Sequence, residues 1–241
     1  MPLALITGAA IRVGRAIALT LAADGYDLII HANRSLSDAE ALRRQVEAMG
    51  RTATVEQADL SDLDAVLALA DRVSAAPALD LLVHSAAAYA HTDFADITPA
   101  ALDHMLAVNL RAPFFLTQRL LPALRRSPSA SVVAITDMAV RHVYSPTHHF
   151  AHYLASKAAL DQLVRTLALE LGPAVRVNAV APGPVAMGAE TTDAQRIHIL
   201  ERVPLGREGD PTDIATAVAF LARSAYITGT TITVDGGLSI S

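Results

Sequence analysis

Short apolar runs alternate with longer amphipathic segments from one end of the chain to the other. Residues 3–6, 27–31, 52–57, 79–83, 131–136, 176–180 and 231–234 are short runs rich in apolar and β-branched residues and predict buried strands. Between them, apolar positions recur at helical spacing over 12–24, 37–49, 62–74, 100–126, 150–171 and 211–223. Strands that are apolar throughout, each followed by a helix, belong to a parallel sheet covered on both faces. The expected fold is therefore α/β, a doubly wound Rossmann arrangement with a seven-stranded parallel sheet. Ser37 and Thr98 read as caps before helices, and Gly25, Gly50 and Gly172 as stops after them. No repeat or linker divides residues 1–241, so one domain is expected. Two long irregular stretches, 138–149 and 186–209, have the length of lids or binding loops.

Composition narrows the chemistry. The 241 residues are 52% hydrophobic and 18% charged, enough for a large core. A net charge of −5 argues against a nucleic-acid or anionic-membrane partner. With no cysteine, disulfides, thiolate nucleophiles and cysteine-bound zinc are excluded. Arg12 and Arg15 interrupt the apolar N-terminus, which predicts neither a signal peptide nor a span, and hence a cytoplasmic protein. His148, His149 and His152 lack a carboxylate or cysteine partner nearby, so no metal is expected.

The first strand runs into Thr7-Gly8-Ala9-Ala10-Ile11-Arg12-Val13-Gly14 and then a helix. Such a glycine turn lets backbone approach a pyrophosphate, with free N–H groups of the helix start facing it. Strand two ends in His31-Ala32-Asn33-Arg34-Ser35. A site for NAD would place a carboxylate there for the ribose 2′-hydroxyl. Arg34 and Ser35 instead suit a 2′-phosphate, so NADP(H) is the expected cofactor. Asp59, before Leu60, is placed either to accept from the adenine amino group or to cap the next helix.

Tyr153 and Lys157, four apart on a predicted helix, share one face. An ammonium beside a phenol would lower the phenol pKa towards neutrality and make Tyr153 a general acid or base. The chain has 18 arginines and one lysine, and that lysine is Lys157. Asn109 precedes Pro113 by four residues, and proline has no N–H to bond its carbonyl. The freed acceptor would hold a water near Lys157 and extend a proton relay.

Together these residues resemble the short-chain dehydrogenases/reductases over essentially the whole chain. Thr7-Gly8…Gly14, Asn109, Tyr153-x-x-x-Lys157, Asn178, Pro182-Gly183 and Asp235-Gly236-Gly237 carry the resemblance. It implies hydride transfer with a nicotinamide and a homotetramer. It also implies that Gly8, Arg12, Val13, Gly14, Asn33, Arg34, Ser35, Asp59, Leu60, Ser85, Ala86, Tyr153, Lys157, Pro182, Gly183 and Val185 line the cofactor.

Four departures narrow the resemblance. Arg12 stands for the usual glycine, and His84-Ser85-Ala86-Ala87 for Asn-Asn-Ala-Gly. Asp137 stands for the catalytic serine, and Tyr89 follows strand four. With His31-x-x-Arg34-Ser35, these are similar to pteridine reductases and bacterial dihydromonapterin reductases. That likeness implies reduction of a ring C=N in dihydromonapterin, dihydrobiopterin or dihydrofolate, with Arg12, Tyr89, Asp137 and Tyr153 on the substrate. Asp137, Tyr153, Lys157 and Asn109 form the expected catalytic set. The alternatives are a carbonyl reductase such as a 3-oxoacyl-[acyl-carrier-protein] reductase, and an NADP-sensing protein without turnover. Asp137 speaks against the first, because a carboxylate repels a developing oxyanion. The spacing of 16 between Asp137 and Tyr153 is longer than the family's usual one, which puts extra residues in the 138–149 loop.

Overall fold

The computed structural model describes residues 1–142, 149–188 and 191–241. Seven parallel strands, β1 Leu3–Thr7, β2 Asp27–Ala32, β3 Ala53–Gln57, β4 Leu81–His84, β5 Ser131–Ile135, β6 Arg176–Pro182 and β7 Thr231–Val234, lie in the order β3-β2-β1-β4-β5-β6-β7. The order reverses between β1 and β4, where Thr7 pairs with His84. At such a switch point the loops diverge and leave a crevice beyond the carboxyl edge of the sheet.

Burial of both faces of the central strands explains why their runs are the most apolar. In β1, Ala4 and Ile6 join one core with Ile17 and Leu21 of α1 (Arg12–Ala23), Leu42 of α2 (Leu36–Ala48) and Val218 of α8 (Pro211–Arg223). Leu5 points the other way, into a second core with Leu69 of α3 (Leu63–Ser74), Leu116 of α5 (Ala112–Leu124) and Leu160 of α6 (Ala151–Leu171). Both faces of the sheet are thus buried, as period-two side-chain direction requires.

The predicted helix over 100–126 is interrupted. It comprises α4 (Pro99–Leu106), a π-helical turn (Ala107–Arg111) and α5. In that turn the Ala112 N–H donates to the Ala107 carbonyl, one residue wider than an α-helix, and Pro113, the next residue, has no N–H for the carbonyl of Asn109. The stretch 186–209 contains an unpredicted helix, α7 (Asp193–Leu200), started by a Thr192–Gln195 capping box. Thr98 caps α4 as expected, accepting from the Ala101 N–H. Ser37 does not cap: it lies inside α2, which begins one residue earlier, after Ser35. Gly25 and Gly50 follow helices at φ 94° and 79°, whereas Gly172 ends α6 at φ −66°, outside the left-handed region. Among the described residues no helix is long and apolar enough to cross a membrane.

Candidate active site

The loops after β1, β2, β3, β4, β5 and β6 enclose a cleft of about 680 Å³ at the switch point. The β1 turn supplies Gly8, Arg12, Val13 and Gly14. Gly8 has φ 65°, and a Cβ there would lie 2.8 Å from Ala86 Cα, so the turn and the β4 loop meet backbone to backbone. Thr7 fixes that meeting: its Oγ1 accepts from the N–H groups of Ser85 (3.1 Å) and Ala86 (3.2 Å) and donates to the Val83 carbonyl. The α1 N-cap is Ile11, with no side-chain bond across the helix start. Its first-turn N–H groups, at Val13 and Gly14, therefore remain open to the cleft, which fits a dinucleotide pyrophosphate.

Asn33 and Arg34 line the cleft at the end of β2. Ser35 does not, and stands at the N-terminus of α2 without a capping bond. Asp59 and Leu60 line it after β3. Asp59 Oδ1 accepts from both the N–H and the hydroxyl of Ser61, bonds that hold its carboxyl below the usual range. The cap of α3 is Asp62 instead. Ser85 and Ala86 come from the β4 loop, and Pro182, Gly183 and Val185 from the β6 loop. Arg12 adopts φ 52° and reaches across the cleft, its Nη2 donating to the Ala186 carbonyl at 2.5 Å.

The reacting end lies between β5 and α6. Tyr153 and Lys157 are both buried there. Tyr153 Oη donates to Asp137 Oδ2 at 3.0 Å, while Asp137 Oδ1 accepts from the Ala139 N–H at 2.8 Å. Lys157 Nζ donates to the Ile135 carbonyl at 2.8 Å and lies 5.8 Å from the Tyr153 ring centre. Burial lowers the Lys157 pKa to about 8, against the opposing pull of the Asp137 charge. Burial also raises Asp137 above the usual carboxylate range, against its bonds to Ala139 and Tyr153 and the Lys157 charge.

These surroundings overturn one expectation. The Tyr153 phenol is not lowered towards neutrality. It is raised well above its ordinary value, by burial first and then by the charge and hydrogen bond of Asp137. Burial acts first, and among the neighbouring charges the Asp137 carboxylate outweighs the Lys157 ammonium. Tyr153 is thereby held as a protonated phenol, the form a proton donor needs.

Tyr89 stands edge-on to Tyr153, ring centres 5.0 Å apart, and leans against Phe150 at 5.1 Å. Asn109 is fully buried and does not line the cleft. Its side chain grips Ala88 from both sides: Oδ1 accepts from the Ala88 N–H at 2.7 Å and Nδ2 donates to the Ala88 carbonyl at 2.9 Å. Nδ2 also donates to Ser156 Oγ, which donates in turn to the Tyr153 carbonyl at 2.6 Å. Asn109 thus ties the loop bearing Tyr89 to the helix bearing Tyr153 and Lys157.

Several cleft residues went unread in the sequence. Phe150 and Met138 flank the reacting pair, and His104 reaches the cleft from α4. His31 was visible only as part of a motif; its Nδ1 accepts from the Gly8 N–H. Of the three clustered histidines, His148 lies outside the described residues. His149 pairs with Asp93, and His152 is buried. Among the described residues no group of three or more His, Cys, Asp or Glu is placed to hold a metal.

This geometry has counterparts among known proteins. A family model described as enoyl-(acyl carrier protein) reductase matches residues 8–239. The chain is 36% identical to the uncharacterized oxidoreductase YmfI of Bacillus subtilis, covering 97% of both chains. It is 35% identical to the 3-oxoacyl-[acyl-carrier-protein] reductase FabG of Staphylococcus aureus, covering 98% of this chain and 97% of that one. The crystal structure of FolM alternative dihydrofolate reductase 1 from Brucella suis, in complex with NADP, superposes with a TM-score of 0.91 at 33% identity. That likeness covers 100% of this chain and 96% of the other. Matched along its length in sequence, sheet order and cleft, the chain belongs to the short-chain dehydrogenase/reductase family of nicotinamide-dependent oxidoreductases.

Proposed function

We propose that this protein is an NADPH-dependent pteridine reductase acting on dihydromonapterin, dihydrobiopterin or dihydrofolate. The observation that carries the reading is the hydrogen bond from Tyr153 Oη to Asp137 Oδ2. A ketone reductase wants a neutral hydroxyl donor where Asp137 stands, because negative charge develops on the substrate oxygen. The neighbouring hydroxyl of Thr136 does not fill that role, since it is turned into the sheet and donates to the Val180 carbonyl. A C=N bond makes a different demand: as its carbon accepts hydride, its nitrogen needs a proton. Tyr153, kept protonated by burial and Asp137, donates it, and Asp137 stabilises the polar edge of the ring through its own hydrogen bond. Tyr89 and Phe150 offer an aromatic wall to a flat heterocycle.

NADPH, bound along the cleft, supplies the hydride. Arg34, which lines the cleft at the end of β2, would hold its 2′-phosphate. The helix start at Val13 and Gly14, with Arg12, would hold the pyrophosphate. Lys157 would hold the ribose beside Tyr153, and its positive charge would offset the negative charge left when Tyr153 gives up its proton. The similarity to FolM, named as an alternative dihydrofolate reductase and solved with NADP, supports the same reading.

A second reading is reduction of a 3-oxoacyl thioester, favoured by the 35% identity to FabG. NADPH oxidation by the purified protein, with dihydropterins, dihydrofolate and a 3-oxoacyl thioester offered in parallel, separates the two. Turnover of the thioester alone sinks the pterin reading. NADPH binding with no turnover of any of them would make the protein a sensor. The homotetramer belongs to the same proposal, with exposed Leu102, Phe114 and Leu169 on α4, α5 and α6 available for pairing. Light scattering in solution tests it.

A further inference from the structure

Asp161 has no part in the chemistry described so far, yet it is a buried carboxylate, with a side chain only 1% exposed. Burying an ionised carboxylate is costly unless it is fully partnered. Asp161 meets three partners, from three places in the fold. Thr231 Oγ1, at the start of β7, donates to Oδ1 at 2.7 Å. Arg165, one turn along α6, reaches Oδ2 at 3.0 Å. Arg141 Nη2 donates to Oδ2 at 3.1 Å.

The third contact matters for the site. Arg141 closes the short turn that Asp137 opens: the Ala139 N–H donates to the Asp137 side chain, the Val140 N–H to the Asp137 carbonyl and the Arg141 N–H to the Met138 carbonyl. Asp161 lies four residues beyond Lys157 on α6, the helix that also carries Tyr153. Two cross-links join the end of β5 and its turn to α6: the Lys157–Ile135 hydrogen bond, two residues before Asp137, and the Arg141–Asp161 ion pair, four residues after it. The route through Arg141 and Asp161 spans four residues of tight turn, one ion pair and two turns of helix.

We infer that Arg141 and Asp161 are positioning residues, a strap that sets the Asp137 carboxylate against the Tyr153 phenol. The inference rests on the reading that this pair is the reacting centre, but its test does not depend on the substrate. The groups facing Tyr153 are Asp137 from the β5 turn, Tyr89 from the β4 loop and Lys157 on its own helix. Asp137, through its turn, and Lys157, through α6, stand at the two ends of the strap; Tyr89 does not.

The test uses full-length protein labelled with 13Cζ-tyrosine. The chain has five tyrosines, and Tyr153→Phe assigns the relevant signal. Arg141→Gln cuts the strap at its half-exposed end and leaves Arg165 and Thr231 on Asp161, so the fold is retained. In this variant the Tyr153 signal is expected to move and to titrate at lower pH than in the wild type, with the signals of Tyr26 and Tyr226, which lie away from the strap, unchanged. Arg141→Lys should restore both. With a turned-over substrate, Arg141→Gln should lower kcat roughly tenfold, with KM for NADPH within about twofold. Asp161→Asn should move the Tyr153 signal in the same direction. An unmoved Tyr153 signal and unchanged titration in folded Arg141→Gln would overturn the strap, as would an effect of Arg141→Gln that Asp161→Asn does not share. Failure of the wild type to reduce any pterin would count against the proposed function and leave the spectroscopic result to decide the strap.

Discussion

The backbone N–H of Gly8 donates to Nδ1 of His31 at 3.1 Å. That bond fixes the histidine's tautomer, because a ring nitrogen that accepts cannot carry the proton. The hydrogen is therefore on Nε2, which donates to the Ala58 carbonyl at 3.1 Å. One neutral imidazole thus ties the glycine turn after β1 to the ends of β2 and β3, and an imidazolium cannot do so.

This arrangement makes the fold sensitive to acid. Burial lowers the pKa of His31, and burial, with the Lys157 charge second, lowers that of His84 from 6.5 to about 3. Below pH 6.5 the unfolded chain takes up these protons before the folded one does. Stability is then complete above pH 6.5 and is lost as pH falls towards 3. For His84 alone the slope approaches about 1.4 kcal/mol per pH unit. Urea unfolding between pH 7 and 4 should show this decline, and His84→Asn should flatten it. An equally steep decline in that variant would remove His84 from the account.

Asp137→Ser converts the carboxylate into the hydroxyl that a ketone reductase would use. Tyr153 then loses the negative neighbour that helps to raise its pKa. Pterin turnover is expected to fall by about 100-fold, near 3 kcal/mol of transition-state stabilisation. The dissociation constant for NADPH should change by less than about threefold if Asp137 faces the substrate rather than the cofactor, as proposed. Parallel losses in both would assign Asp137 a structural role as the cap of its turn.

The strands and the glycine turn were readable because they depend on local pattern: continuous apolar runs, then residues that permit a close approach. The contacts that assemble the cleft are not local. His31 finds Gly8 across 23 positions and Asn109 finds Ala88 across 21, and neither spacing has a periodic signature. The helix α7 escaped notice because none of its residues is fully buried; a capping box and the pairing of Arg196 with Glu208 hold it, not an apolar stripe. The Tyr153 pKa follows burial and a non-local neighbour, neither of which sequence spacing reveals. Sequence spacing places Lys157 one turn away, but the fold brings Asp137 closer to the hydroxyl and turns the ammonium towards the Ile135 carbonyl.

Arg34 and Ser35 are neighbours in sequence with different surroundings, since only Arg34 lines the cleft. Arg34→Ala should weaken NADPH binding by about 30-fold, the loss of a charge-assisted bond worth roughly 2 kcal/mol, and leave NADH binding unchanged. Ser35→Ala should change NADPH affinity by less than about twofold. Fluorescence titration with both cofactors measures each. Equal weakening of NADH and NADPH by Arg34→Ala would mean that the guanidinium does not recognise the 2′-phosphate.

Asn109 offers two separable roles, one for its side chain and one for its carbonyl. The carbonyl faces the missing N–H of Pro113 and is the acceptor a proton relay would use; the amide clamps Ala88 and joins Ser156. Asn109→Ala deletes the clamp and keeps the carbonyl. If the clamp matters most, the Ala88 N–H and carbonyl are left without their buried partner, and the unfolding free energy should drop by about 2–3 kcal/mol. Turnover should drop with it, because Tyr89 loses its fixed place against Tyr153. Asn109→Asp should not rescue, since a carboxylate accepts from the Ala88 N–H but sets a second oxygen against the Ala88 carbonyl. If instead Asn109→Ala keeps both its urea midpoint and its kcat, the clamp is dispensable, and whatever this residue contributes must pass through its main-chain oxygen.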